Sequence, residues 1–260
     1  DVGDFATARL LYNASRLLFR NGAGPFRCFG KLSFRPRSYQ LVPLILALRH
    51  KIVRLLIADD VGIGKTIEAG IIVRELIDRG ELNRFAVICL PHLCEQWQQE
   101  LKDKFSIEAV IIRSGTIRSL ERGLLPSQTI FTHYPFQIIS VDYVKSETHN
   151  QQFIRECPEF VVVEEAHSCS NTGGQKLSNQ QQRYKLLKAL SANEKRHLLM
   201  LTATPHSGVQ QQFQSLLGLL NSKFEQNDFD ISRKEHVRSL SEHYIQRKRK
   251  DIEKFVEKTP

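Results

Sequence analysis

The strongest constraint on this chain is a glycine turn set between two different periodicities. Val53 to Ala58 (VRLLIA) is a short apolar run, Asp59 to Thr66 reads DDVGIGKT, and a helical stripe follows from Thr66 to Arg79. A run that is apolar on both faces suits a parallel strand covered by helices. Gly62 and Gly64 let the backbone turn so that its N–H groups converge on an anion. The helix behind them presents its N-terminus to the same anion. In that setting Gly62, Ile63, Gly64, Lys65 and Thr66 form a candidate phosphate cradle: Lys65 can reach β- and γ-phosphates, and the Thr66 hydroxyl can ligate Mg²⁺. The strict pattern has Gly where Asp59 stands, so a structural glycine turn followed by a chance Lys-Thr is the competing reading.

The same alternation continues along the chain. Phe85 to Leu90, Ala109 to Ile112, Ile138 to Val141, Phe160 to Val163 and His197 to Leu201 read as buried strands. Between them Leu41, Leu44, Ile45 and Leu48, and then Leu93 to Phe105, carry helical stripes. Strand alternating with helix predicts an α/β fold with a mostly parallel sheet and helices on both faces. Asp1 to Arg20 reads as an amphipathic helix, and residues 1–30 as an N-terminal helical extension. Gly115 to Gln137 and the polar stretch Ser168 to Gln182 read as irregular. Asn227 to Lys258 is strongly charged and helical in propensity, with no further buried strand expected. Residues 223–260 therefore read as a charged helical linker beyond a lobe spanning residues 31–222.

Composition narrows the partners. Lys and Arg number 37 against 28 Asp and Glu, a formal net charge of +9. That balance suits a polyanion, nucleic acid above all, or simply a soluble surface. The 5 cysteines show no CxxC spacing, which argues against a zinc site or disulfide framework and for a reducing, cytoplasmic setting. Cys89, inside an apolar run, reads as a small buried hydrophobe. No apolar run approaches the roughly 18 residues of a membrane span.

Two further motifs stand at strand ends. Glu164-Glu165-Ala166-His167 follows FVVV. Carboxylates at the C-terminal end of a buried strand lie on the ligand edge of an open α/β sheet. There Glu164 can hold Mg²⁺, and Glu165 can orient or deprotonate the attacking water; a solvated strand end is the alternative. A metal-holding carboxylate here is usually Asp, and Mg²⁺ is demanding in geometry, so Glu164 is the odd residue of the set. Leu201 to Gly208 reads LTATPHSG, and Thr202 and Thr204 place hydroxyls beside the acidic motif.

Taken in order, Gln40, DDVGIGKT, LPHLCEQWQQEL (Leu90 to Leu101), EEAH and TATP resemble a superfamily-two helicase of the Swi/Snf ATPase type. That family's phosphate loop reads A-D-E-x-G-x-G-K-T. Ala58 to Thr66 reads ADDVGIGKT, which accounts for Asp59. Pro91, Gln96 and Trp97 match its P-x-x-x-x-Q-W segment, and Tyr39-Gln40 its adenine-reading element. Phe213 to Leu220 and Tyr244 to Ile252 (YIQRKRKDI) resemble the segment closing its first lobe. Two bacterial branches look closest, an RNA-polymerase-recycling ATPase and the helicase-like protein of the DISARM phage-defence system. The stretches ADDVGIGKTIEAG, CPEFVVVEEAHSC and TATPHSG favour the second.

The resemblance implies a RecA-like P-loop lobe with ATP and Mg²⁺ as cofactors. Gln40 would read adenine. Glu164 and Thr66 would hold the metal, and Glu165 would be the water-activating base. His167, Thr202 and Thr204 would couple the nucleotide to moving parts, with a satisfied structural histidine as the other reading of His167. It also implies DNA, double-stranded and contacted through phosphates, with His92 and Ser140 to Lys145 as candidate contacts. A second RecA-like lobe of the parent chain would carry the arginines that complete the site, so this lobe by itself would turn ATP over very poorly. Trp97 reads as core or as a base-stacking platform. Arg247 to Lys250 reads as a charged helix face joining lobes or as a DNA contact. An ATP-binding scaffold without turnover and an RNA helicase lobe are the competing functions.

Overall fold

A computed structural model describes Arg9 and residues 26–171, 179–205, 209–226, 229 and 233–253; the side chains of 147 and 148 are not described. The amphipathic stripe expected over Asp1 to Arg20 lies almost wholly outside these residues.

The described chain builds one seven-stranded sheet in the order β3-β4-β2-β5-β6-β1-β7. The strands are β1 (Arg54–Ile57), β2 (Phe85–Cys89), β3 (Val110–Ile112), β4 (Phe136–Ser140), β5 (Phe160–Val163), β6 (His197–Leu201) and β7 (Tyr244–Ile245). Every neighbouring pair is parallel. Parallel pairing needs crossovers, and helices supply them: α1 (Val42–Ala47), α2 (Lys65–Arg79), α3 (Cys94–Phe105), α4 (Glu147–Glu156), α5 (Asn179–Ser191), α6 (Gln210–Leu220), α7 (Lys234–Ser241) and α8 (Arg249–Ile252).

Because successive strand residues face opposite sides, the continuous apolar runs split into two cores. Leu56, Ile88, Val161, Val163, Leu198 and Met200 pack on one face. Leu55, Ile57, Val87, Val162, Leu199 and Leu201 pack on the other, against α2 and α3. That is the reason these strands show no polar alternation. Cys89 is buried in the second core, as its sequence setting predicts.

Three expectations need correction. A strand does follow residue 227: Tyr244–Ile245 pairs with Leu56 and Ile57 at the sheet edge. The stretch Gly115 to Gln137 contains the short helices Ile117–Glu121 and Ile130–His133, and Gln137 belongs to β4. The polar stretch Ser168 to Gln182 is cut short by α5, which starts at Asn179; α5 buries Tyr184, Leu186, Leu187 and Leu190 at helical spacing, and that packing overrides its polar first turn. No helix among the described residues is long and apolar enough to cross a membrane.

Candidate nucleotide site

The sheet order places β5, β6 and β1 side by side. Their C-terminal ends carry EEAH, TATP and DDVGIGKT. Three motifs far apart in sequence thus meet on one edge, where open parallel sheets bind ligands.

The turn after β1 takes the shape its glycines permit. Gly62 and Gly64 have φ of +86° and +109°, a region costly for residues with a Cβ. Gly64 caps α2, so the first amides of that helix have no partner within it and face the turn. Lys65 leads α2, and its Nζ donates to the Asp59 carbonyl at 2.8 Å. Thr66 stands half-buried beside it. Gln40 is buried; its Oε1 accepts from the Arg37 amide at 3.0 Å, and its Nε2 lies 2.8 Å from the position a Gly64 Cβ would take. The Tyr39 hydroxyl donates to the Ile63 carbonyl at 3.3 Å. The Tyr39-Gln40 pair therefore rests directly on the glycine turn.

After β5, Glu164 and Glu165 diverge. The Glu164 amide extends the ladder by donating to the Ile88 carbonyl at 2.9 Å. Its Oε2 is buried with no hydrogen-bond partner. Burial, with the Glu165 charge adding, pushes its pKa up to about 7, while Lys65 and a hydrogen bond from Trp97 pull the other way. Glu165 turns the chain in the left-handed region at φ +50°, a conformation that non-glycine residues adopt at some cost. Its carboxylate is held below the usual range chiefly by a hydrogen bond with His167. The two environments therefore push the two carboxyls in opposite directions, which suits two roles.

His167 Nδ1 lies 3.2 Å from Glu165 Oε2 and 3.1 Å from Thr202 Oγ1. Thr202 Oγ1 accepts from the Thr204 amide at 3.1 Å. A tautomer protonated at Nδ1 serves both oxygens. This relay joins the β5 motif to the β6 motif, and the Thr202 amide reaches on to β1 by donating to the Ile57 carbonyl at 3.0 Å. Thr202 is buried, while Thr204 faces solvent.

The structure thus brings together every residue expected for the nucleotide: Gln40, Gly62, Ile63, Gly64, Lys65, Thr66, Glu164, Glu165, His167, Thr202 and Thr204. Trp97 is core, 3% exposed, and its indole braces Glu164, so it offers no stacking platform. His92 is exposed after β2. Lys145, in the second candidate DNA segment, is engaged with Asp142 at 2.8 Å and Asn179 at 3.0 Å.

Sequence reasoning missed one contact set. Arg247 is neither a solvated helix face nor a free DNA contact. Its guanidinium hydrogen-bonds both carboxylate oxygens of Asp59 and one of Glu68, and both partners are fully buried. The residue that departs from the strict glycine pattern is therefore an ion-pair partner. An Asp closing an apolar strand and a Glu on the buried face of α2 were the available signals, since buried charges need partners.

Comparison with known proteins places this geometry. The uncharacterized ATP-dependent helicase YqhH of Bacillus subtilis is 28% identical over 188 residues, covering 72% of this chain and 30% of that protein. The RNA polymerase-associated protein RapA of Proteus mirabilis is 30% identical over 179 residues, covering 68% of this chain and 18% of RapA. This chain thus spans less than a third of either relative. The Sulfolobus solfataricus SWI2/SNF2 ATPase core in complex with dsDNA shares the fold with a TM-score of 0.67 at 18% identity, covering 88% of this chain and 48% of that one. The profile of the SNF2-related domain matches residues 39–257. The chain belongs to the SNF2-related domain family.

Proposed function

We propose that this chain is the ATP-binding lobe of a DNA-dependent ATPase that translocates on double-stranded DNA. The carrying observation is the meeting, on one sheet edge, of the phosphate turn after β1 with a buried Glu164 carboxyl oxygen after β5 that has no hydrogen-bond partner among the described residues, β6 lying between the two strands. A buried orphan acceptor is costly unless a ligand satisfies it, and carboxylate and hydroxyl oxygens such as those of Glu164 and Thr66 are the hard donors Mg²⁺ takes. ATP with Mg²⁺ fits these residues.

Each residue then has a task. The α2 amides and Lys65 bind the β- and γ-phosphates. Thr66 and Glu164 hold Mg²⁺, which supplies charge neutralisation on the phosphates when bound. Glu165, kept ionised by His167, orients the attacking water and accepts its proton. Gln40, resting on Gly64, offers its amide to the adenine edge. Thr202 and Thr204 carry the state of Glu165 across to β6. Residues 31–222 with the 244–252 segment make up the lobe, and a second lobe of the parent chain supplies the arginines that accelerate phosphoryl transfer. By itself this lobe turns ATP over very slowly.

The +9 charge and the DNA complex of the Sulfolobus core support a DNA partner read through phosphates, with His92 and Ser140 to Lys145 flanking the same sheet edge. The phage-defence assignment draws no support from the relatives described above. The scaffold reading draws none either, because the Glu164 carboxylate stays within the field of Lys65.

The test is ATP hydrolysis by the full-length parent protein with and without double-stranded DNA across a salt series. DNA stimulation that fades with salt is the expected result. Nucleotide binding with no DNA-stimulated turnover would refute the motor reading.

A further inference from the structure

The segment after β7 holds the phosphate turn along its whole outer side. The Asp60 amide donates to the Arg247 carbonyl at 3.1 Å, which continues the β1–β7 ladder past both strands. The Arg247 amide donates to Asp59 Oδ1 at 2.8 Å. Its guanidinium spans three elements: Asp59 at the end of β1, Glu68 in the first turn of α2, and the Tyr39 carbonyl at 2.6 Å. Those elements are the two flanks of the phosphate turn and the turn that carries Gln40. Two residues on, Arg249 Nε and Nη2 donate to the Val61 carbonyl at 3.0 and 2.9 Å, and its amide donates to Asp60 Oδ2 at 3.1 Å. Nη2 occupies the space a Gly62 Cβ would need. Ile252 packs with Tyr39 and Ile63.

We propose that Arg247 is a positioning residue of the nucleotide site, fixing both ends of the phosphate turn and the Gln40 turn in one frame. The affinity of the site for adenine nucleotide is then set from the 244–252 segment. This rests on the ATP-lobe reading. The argument is geometric. A planar guanidinium makes forked bonds to carboxylates in fixed directions, so one Arg bonded to two buried carboxylates and a carbonyl on three elements defines their relative placement. An ammonium carries the charge without the fork. The glycine turn has no rigidity of its own at Gly62 and Gly64, so an external frame is what keeps its amides convergent. Misplacement of binding groups by about an ångström costs up to about a hundredfold.

The experiment measures the affinity of a fluorescent ADP with Mg²⁺, alongside the nucleotide-free melting midpoint. It compares the unsubstituted chain, Arg247→Lys, Arg247→Met, and the charge-neutral triple variant Asp59→Asn, Glu68→Gln, Arg247→Met. Affinity is expected to fall about tenfold or more in Arg247→Met and in the triple variant, and less in Arg247→Lys. The triple variant is expected to recover most of the melting midpoint while its affinity stays low, a split that a merely structural role would not produce. If Arg247→Met does not fold, the Lys and triple variants decide. Unchanged affinity in folded variants overturns the proposal and leaves the ATP-lobe reading intact. An unsubstituted chain that fails to bind nucleotide overturns both.

Discussion

The two sides of the phosphate turn handle buried charge in opposite ways. On the β7 side, Asp59 and one oxygen of Glu68 are bonded inside the chain by Arg247, while Glu68 Oε2 has no partner among the described residues. On the β5 side, Glu164 is left with a buried oxygen that no described residue satisfies, and Glu165 stands in the left-handed region beside the relay to Thr202. The first side has a guanidinium bonded to its carboxylates, and the second offers its free oxygen to a ligand. The Arg247 side should therefore respond to mutation chiefly in stability and affinity, and Glu165 chiefly in turnover.

The largest effect that could break this division belongs to Glu165. Glu165→Gln keeps the shape and removes the base. In the parent protein DNA-stimulated hydrolysis should fall about 10²–10⁴-fold with nucleotide affinity little changed. A variant that hydrolyses normally would move the water-activating role to another residue and erase the functional half of the comparison.

Arg247→Met comes next. Removing one partner of a buried ion pair strands the other charge and costs about 3–5 kcal/mol. Chemical denaturation of the nucleotide-free chain should show that loss. The triple variant Asp59→Asn, Glu68→Gln, Arg247→Met should restore most of it, because replacing all the partners by neutral groups is often nearly free of cost. A loss well under about 1 kcal/mol would mean that the ion-paired side is solvated in solution.

How much of this was readable in advance follows from the range of each signal. The phosphate turn, the acidic motif and TATP are local patterns bounded by apolar runs, so residues and spacing expose them. The six longer strands were likewise legible, because burial on both faces leaves uninterrupted apolar residues such as Phe160 to Val163. β7 is only two residues long and lies between His243 and Gln246, too brief to show a period. Arg247 meets Asp59 across 188 residues, and nothing in the run RKRK distinguishes the ion-paired arginine from its neighbours. Pairing of one residue in a charged run with buried acids is a tertiary fact. The resemblance of Tyr244 to Ile252 to a lobe-closing segment marked the place without revealing the contact.

A pH series sharpens the comparison further. Glu164 has its folded pKa raised from 4.5 to about 7, so the folded state binds this proton more tightly than the unfolded one. The associated stability is complete below the unfolded value and is lost as pH rises through about 7. Glu164→Gln mimics the protonated form. At pH 8 and without nucleotide it should be more stable than the unsubstituted chain, by at most about 3 kcal/mol, and at pH 4 the gap should close. A gap of equal size at both values would trace it to packing. The same variant should bind Mg²⁺-nucleotide more weakly, since stability and ligand affinity make opposite demands of this carboxylate.

The smallest effect tests the link between the halves of the ligand edge. Thr202→Val keeps the buried volume close to constant and removes the hydroxyl that meets His167 Nδ1 and the Thr204 amide. The lost hydrogen bonds should cost about 1 kcal/mol in a denaturation curve. In the parent protein the more telling quantity is the ratio of DNA-stimulated to basal hydrolysis. Glu165 still accepts from His167 in the variant, so basal turnover should hold while the stimulated rate falls. Equal loss of both rates would make Thr202 part of the chemistry, and loss of neither would reduce the relay to a structural hydrogen bond. Only a fall in the ratio fits a hydroxyl that passes the state of one strand end to the next.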